Sequence, residues 1–354
     1  MHRRIRIFAE KEALIQLSSN SEFRSGFTLR HILKNLSDVW LIMSQEELDT
    51  EWANSESPLR KFCESYDLPC PKASNELKLV YKNPLYCTLI DPFALWLFNR
   101  GQEEIKRFQE YLGVWAVSPM DLNDTYFALE HSRGYDRNDV IDGPKQNGWG
   151  NFLAELPKPV PPMNSIILND RHLLLNTNES TAAEKGFWGF NNLLVLLKEL
   201  LPENLKIPFH LMIFCQHPRL NIEVTDEIVD KFIEDVQKLR PYEISIEFVF
   251  DKSRHKRGLY SNYFVFDVDR AFNAFYDTSP TKLNGENDFS IKTYLSNPFT
   301  SGDTEYDSGR SKIEKIHSQC KEVIIEPRLE EESLENIARG RLKDEEKLEN
   351  RLFS

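Results

Sequence analysis

Cysteine is scarce in this chain, and its spacing suggests no pairing. Cys63, Cys70, Cys87, Cys215 and Cys320 form no CxxC and match no zinc-ligand spacing. This argues against a disulfide-stapled secreted fold and a zinc module, and predicts free buried thiols in the cytoplasm. Long apolar runs are missing too: no stretch approaches the roughly 18 to 20 apolar residues that span a bilayer. The opening Met1-His2-Arg3-Arg4 runs straight into Ile5-Arg6-Ile7-Phe8, the alternation of a strand in place of a signal peptide. Positive charge is in deficit, with 44 Lys and Arg against 56 Asp and Glu and a formal net charge of −12. Phosphate binding draws its free energy from cations that displace counterions, so nucleic acid is left at most a local basic patch.

What is present suits a globular α/β protein. Hydrophobic residues make up 40% and charged residues 28% of the chain, too apolar for wholesale disorder. A length of 354 residues, at roughly 150 per domain, implies two domains. The alternating prolines of Leu156-Pro157-Lys158-Pro159-Val160-Pro161-Pro162-Met163 favour extended backbone over a packed element. They place a boundary between an N-terminal α/β domain, residues 1–155, and a second α/β domain, residues 164–320. Residues 321–354 read as a charged helical tail.

In the first domain, residues 3–8 read as a strand. Lys11 to Leu17 and Phe23 to Leu36 have helical spacing, and Val39 to Met43 reads as a second strand. Ser44 and Glu47 have the spacing of a capping box. Leu77 to Tyr81 and Leu85 to Ile90 read as further strands, with Asp91-Pro92 breaking the second before a helical stretch from Phe93. Asp121 to Asn151, rich in Asp, Asn and Gly, reads as a surface segment. In the second domain, Ser165 to Leu168, His172 to Leu175, Phe209 to Cys215, Ile244 to Phe250 and Leu259 to Val268 read as strands. Phe190 to Leu201 and Asp226 to Leu239 read as helices, and this alternation predicts a sheet largely covered by helices. The chain turns polar after Asp277. The run from Arg328 to Lys347 mixes charges with few apolar positions, as a solvated or partner-binding tail would.

The strongest chemical lead follows the strand Ile244 to Phe250. Arg254-His255-Lys256-Arg257 precedes an apolar stretch that carries Asn262. If Leu259 to Val268 is a strand, His255 and Arg257 point to one side at its mouth, because strand side chains repeat every two residues. Arg forks onto two phosphate oxygens, and an imidazole can act as nucleophile or proton donor near neutral pH. Arg254, Lys256 and Arg257 are thus the candidate phosphate-binding cations, and His255, Arg257 and Asn262 the candidate catalytic set.

Here the chain resembles the phospholipase D-like superfamily over about residues 164–275. The family motif is His, any residue, Lys, four residues, then Asp, and the matching positions are His255, Arg257 and Asn262. The resemblance implies phosphoryl transfer or proton donation at His255, phosphate binding at Arg257 and a supporting role for Asn262. Arg can replace Lys as a phosphate clamp, but neutral Asn cannot steady an imidazolium as a carboxylate does. Family sites are completed by two motif copies, and no second copy follows His172, His210 or His217, so catalysis would call for a homodimer.

Three readings follow for this turn. It can belong to a nonenzymatic phosphate-binding or partner-binding module, such as a subunit of a prokaryotic defence-type system. It can belong to a metal-independent phosphodiesterase or nuclease acting as a dimer through His255. It can be a basic turn in another α/β fold. No cofactor is called for. Protein partners would meet the N-terminal domain or the tail, and nucleic acid the basic turn. Glu47, Asp49, Asp91 and Asp121 are scattered acids that a two-metal site would have to gather. Trp96, Trp115 and Trp149 read as core or interface, and the leucines of Asn192 to Leu197 as core.

Overall fold

Ile5, Ile7 and Ala9 alternate with Arg6 and Phe8, so one edge of the first strand offers an apolar face and the other a mixed one. In the computed structural model this segment is β1 (Ile5–Ala9), the middle of a five-stranded parallel sheet. The structure describes residues 3–25, 30–122, 132–135, 143, 145–154, 161–171, 173–174, 188–216, 222–250, 257–268, 272, 274–276, 279–283, 288–296, 304–325, 338–340 and 350–353. In the first sheet β2 (Ser37–Leu41), β3 (Lys72–Ala73), β4 (Leu95–Leu97) and β5 (Trp115–Val117) join β1 in the order β3-β2-β1-β4-β5.

Several local readings hold in this half. Ser44 and Glu47 form the capping box, with the Glu47 N–H donating to Ser44 Oγ and the Ser44 N–H to Glu47 Oε2, and they start the helix Gln45–Ala53. Other readings are corrected. Leu77 to Tyr81 and Leu85 to Ile90 are helical, forming Leu79–Lys82 and Tyr86–Ile90. Leu77 and Val80 are buried at i, i+3 spacing, and the Ser74 hydroxyl accepts from the Glu76 N–H to start the turn. The stretch from Phe93 is no helix. Its residues 93–98 are all buried because β4 is covered on both faces, which removes the strand alternation from the sequence.

The second sheet has eight strands in the order β15-β9-β8-β7-β10-β11-β14-β6. Its parallel part is β7 (Ser165–Asn169), β8 (Phe209–Cys215) and β9 (Ile244–Phe250). Antiparallel strands β10 (Gly258–Ser261), β11 (Phe264–Val268) and β14 (Phe289–Thr293) follow, with β6 (Ser132–Tyr135) at one edge and β15 (Ala338–Gly340) at the other. β12 (Phe275–Tyr276) and β13 (Ser279–Leu283) form a separate hairpin. Helices Gly148–Ala154, Trp188–Leu200 and Ile222–Gln237 contribute to one core with Ile166 and Leu168, and helix Glu305–Ile325 to the other with Ile167 and Met212. Leu193, Leu196 and Leu197 are fully buried there, as their spacing predicts.

Leu259 to Val268 is not one strand. β10 and β11 are a hairpin that turns at Asn262 and Tyr263, with the Ser261 hydroxyl accepting from the Phe264 N–H. Leu173 and Leu174 lie in a turn, while His172 and Leu175 fall outside the described residues. The segment read as surface, Asp121 to Asn151, contributes β6 to the second sheet, and its end starts the buried helix Gly148–Ala154. Trp96, Trp115 and Trp149 are core residues. Cys63, Cys87, Cys215 and Cys320 are free and buried, but Cys70 is exposed. No helix among the described residues is long and apolar enough to cross a membrane.

The two sheets are locked together by the hairpin turn. Asn262 is wholly buried, and its Oδ1 accepts from the N–H groups of Asn164 and Ser165 at 2.9 and 3.2 Å. Its Nδ2 donates to the Pro92 carbonyl at 2.8 Å, across to the first sheet. Tyr263 repeats the bridge, accepting from the Trp115 N–H at 2.8 Å and donating to the Ala94 carbonyl at 2.9 Å. Burial pushes the Tyr263 phenol far up, so the proton it donates stays in place. Asn164 adds a donation to the Leu112 carbonyl at 2.8 Å. Next to it Gly113 has φ +60, and a Cβ there would lie 2.2 Å from the Met163 carbonyl oxygen, so only glycine fits.

The end of the chain is also built in. Asn350 is buried, accepts from the Ser165 hydroxyl at 2.9 Å and donates to the Ile166 carbonyl at 3.0 Å. Leu352 is buried, and Phe353 stacks on His317 with centroids 4.4 Å apart. Of the charged helical tail read over 321–354, residues 338–340 are a strand, and 326–337 and 341–349, most of the run read as solvated, lie outside the described residues. Helix Glu305–Ile325 runs across the boundary at 321, and residues 350–353 dock at the start of β7.

Two outcomes are expected. Asn262→Ala leaves two buried N–H groups and a carbonyl without their partner, at about 1 to 3 kcal/mol each, so urea unfolding should give a loss of at least about 3 kcal/mol. A loss below about 1 kcal/mol would contradict the bridge. Burial, then Lys321, lowers the His317 imidazole below its ordinary range, against a smaller upward pull from Glu314. The unfolded chain thus binds the proton more readily. The docked end is at full strength above about pH 6.5 and loses it as pH falls through the depressed value. Intrinsic-rate-corrected amide exchange at Leu352 should show less protection at about pH 5.5 than at about pH 7.5, and His317→Phe should remove the difference. Equal protection at both pH values in the native protein would contradict it.

Candidate functional site

Open α/β sheets tend to bind ligands beyond the carboxyl ends of their parallel strands. In the second sheet those ends are Asn169, Cys215 and Phe250. β7 is buried along its whole length and then turns polar at Asn169-Asp170-Arg171. The Asp170 N–H donates to the Phe214 carbonyl at 3.0 Å, and its carboxylate accepts from the Phe272 N–H at 2.7 Å. That carboxylate is wholly buried.

Arg257 meets it. The antiparallel register sets Gly258 opposite Asn169, which brings the preceding Arg257 alongside Asp170. Arg257 Nε lies 3.9 Å from Asp170 Oδ1, and the arginine side chain keeps 15% of its exposure. A fully buried carboxylate is costly unless a cation faces it, so the pair fixes this edge of the sheet. Beside it Arg171 Nε donates to Gln216 Oε1 at 2.9 Å, and the Gln216 N–H donates to the Arg171 carbonyl. Burial, and then the Asp170 charge, pushes the neighbouring Cys215 thiol well up, so it is no nucleophile at neutral pH.

The candidates named from sequence part ways here. Arg257 is at the carboxyl edge. Arg254, His255 and Lys256 lie outside the described residues. Asn262 is not with Arg257, because β10 runs between them and at about 3.3 Å per residue sets them some 15 Å apart. Its side chain is committed to backbone groups of both sheets, which corrects its place in the catalytic set.

The scattered acids of the first half are not gathered either. Glu47 caps a helix and pairs with Lys78, Asp49 accepts from Gln45, Asp91 pairs with Arg6, and Asp121 accepts from Ser118. Among the described residues no group of His, Cys, Asp and Glu could hold a metal ion. Asp170, Arg171 and Gln216 were missed as site residues. The available signal for Asp170 and Arg171 was the polar run Asn169-Asp170-Arg171 that closes the apolar stretch Ile166 to Leu168. Neither the protein-family models nor the curated proteins contain a match to this chain.

Proposed function

We propose that the second half of the chain is a phosphate-binding module of phospholipase D-like type, working at the carboxyl edge of β7 with Arg257 as its cation. The observation that carries this reading is the Arg257–Asp170 pair: a buried carboxylate, held by a backbone N–H, steadies a partly exposed guanidinium where parallel strands end. A guanidinium so placed can fork onto two phosphate oxygens, and preorganisation reduces the entropy lost on binding. Lys256 and Arg254 would add positive charge, and His255 would stand two residues before Arg257. Acting in the cytoplasm, the module would engage a protein partner through the N-terminal half or the acidic C-terminal stretch. Contact with nucleic acid would stay local, because the chain carries a net charge of −12. Turnover would need a second copy of the chain to supply a second histidine.

Arg257→Ala alone is a poor test, since it strands the buried Asp170 charge and can unfold the domain. The double variant Asp170→Asn/Arg257→Gln removes both charges together. Titration of a short single-stranded oligonucleotide carrying a terminal phosphate should show about a tenfold or greater loss of affinity in this variant, with the fold retained by circular dichroism. Unchanged affinity would remove Arg257 from the site. Cleavage of the probe by the native protein in chelator, lost in His255→Ala, would select the phosphodiesterase form of the reading. Binding without cleavage would select the module.

A further inference from the structure

A second basic site lies between the first sheet and helix Glu305–Ile325. A cleft of about 960 Å3 opens at the amino edge of the first sheet, with helix Glu305–Ile325 along one side. The first sheet and the residues leading into it supply Arg3, Arg4, Arg6 and Lys72, and the helix supplies Arg310, so five cations line the cleft against three acids, Asp38, Asp91 and Glu314. This balance of +2, five minus three, stands in a chain whose net charge is −12.

The acids are already engaged. Asp91 is buried, accepts from the Phe93 N–H at 2.8 Å and pairs with Arg6 at 3.2 Å. Asp38 sits 3.1 Å from Lys72 and 4.0 Å from Arg4, and Glu314 accepts from Arg3. The cations retain capacity. Arg4, Arg6 and Lys72 keep 45%, 51% and 53% of their side-chain exposure. Arg310 lies over the Phe93 ring at 4.1 Å, and its Nη1 is buried without a hydrogen-bond partner among the described residues.

We infer that this cleft binds a nucleoside polyphosphate, its phosphates between the sheet cations and Arg310 and its base against Leu36 and Ile90. The volume suits a ligand of that size. Two banks of cations suit more than one phosphate, and the half-buried Leu36 and Ile90 offer an apolar wall. A long polyanion fits less well, because beyond the cleft it would run over a chain with twelve excess negative charges. The inference is independent of the reading of Arg257.

The test is calorimetric titration of the full chain with ATP, with inorganic pyrophosphate and with a single-stranded oligonucleotide lacking terminal phosphates. ATP should bind most tightly. Arg4→Gln/Lys72→Gln, both exposed positions, should weaken ATP by about tenfold or more, and Arg310→Gln should do the same. Asp170→Asn/Arg257→Gln should leave in place the ATP binding that depends on Arg4, Lys72 and Arg310, which separates this site from any binding at the edge of the second sheet. Failure of the native protein to bind ATP, or binding indifferent to Arg4, Lys72 and Arg310, would overturn the inference. A preference for the oligonucleotide with the same residue dependence would overturn the small-ligand assignment.

Discussion

The rest of the structure depends on one buried turn. Asn262 and Tyr263 present side-chain donors and acceptors to backbone groups that belong to neither β10 nor β11. Strand ends leave N–H and C=O groups without ladder partners, and burying them unpaired would cost more than the packing around them returns. The turn meets that need at Pro92, Ala94 and Trp115 on one side and at Asn164 and Ser165 on the other. Two α/β sheets can therefore share apolar cores, with Phe8 and Trp96 in the same cluster as Ile166 and Leu168, and Ile5 and Ile7 in the same cluster as Ile167. The chain end adds Asn350 to the same strand start, so β7 is held from three directions.

This arrangement also explains what sequence alone makes legible. β1, the Ser44–Glu47 capping box and the leucines at 193, 196 and 197 follow local rules, and their residues carry the pattern. β4 carries none, because a strand buried on both faces is apolar throughout. The short run from Leu77 is ambiguous by composition, and its helical form is settled by burial of Leu77 and Val80 against the first sheet. Asn262 sits at a spacing that suggests chemistry, yet its role is set by Pro92 and Asn164, distant in sequence and invisible to any local pattern. For the site, the charge of Arg257 was legible. Its partner Asp170 was not, since only the register of β7 with β10 brings the two together.

Charge is distributed to match. The chain is acidic overall, yet five cations face three acids around the cleft of the first sheet, whereas Arg257 in the second is balanced by Asp170. A local excess of cations on an acidic chain favours compact anions over extended ones, because repulsion rises with every phosphate outside the patch. The cleft proposal rests on that contrast, and the Arg257 proposal on a single preorganised cation. They place phosphate recognition at two separate sites, one at the amino edge of the first sheet and the other at the carboxyl edge of the second.

The central claim is that the Asn262–Tyr263 turn makes the two sheets open together. Native-state hydrogen exchange in increasing denaturant measures this directly. The buried amides of β1 and β4 should converge with those of β7 and β8 on one global opening of the same free energy. Exchange of the first-sheet amides through a separate opening of clearly lower free energy, with the second sheet still protected, would contradict it.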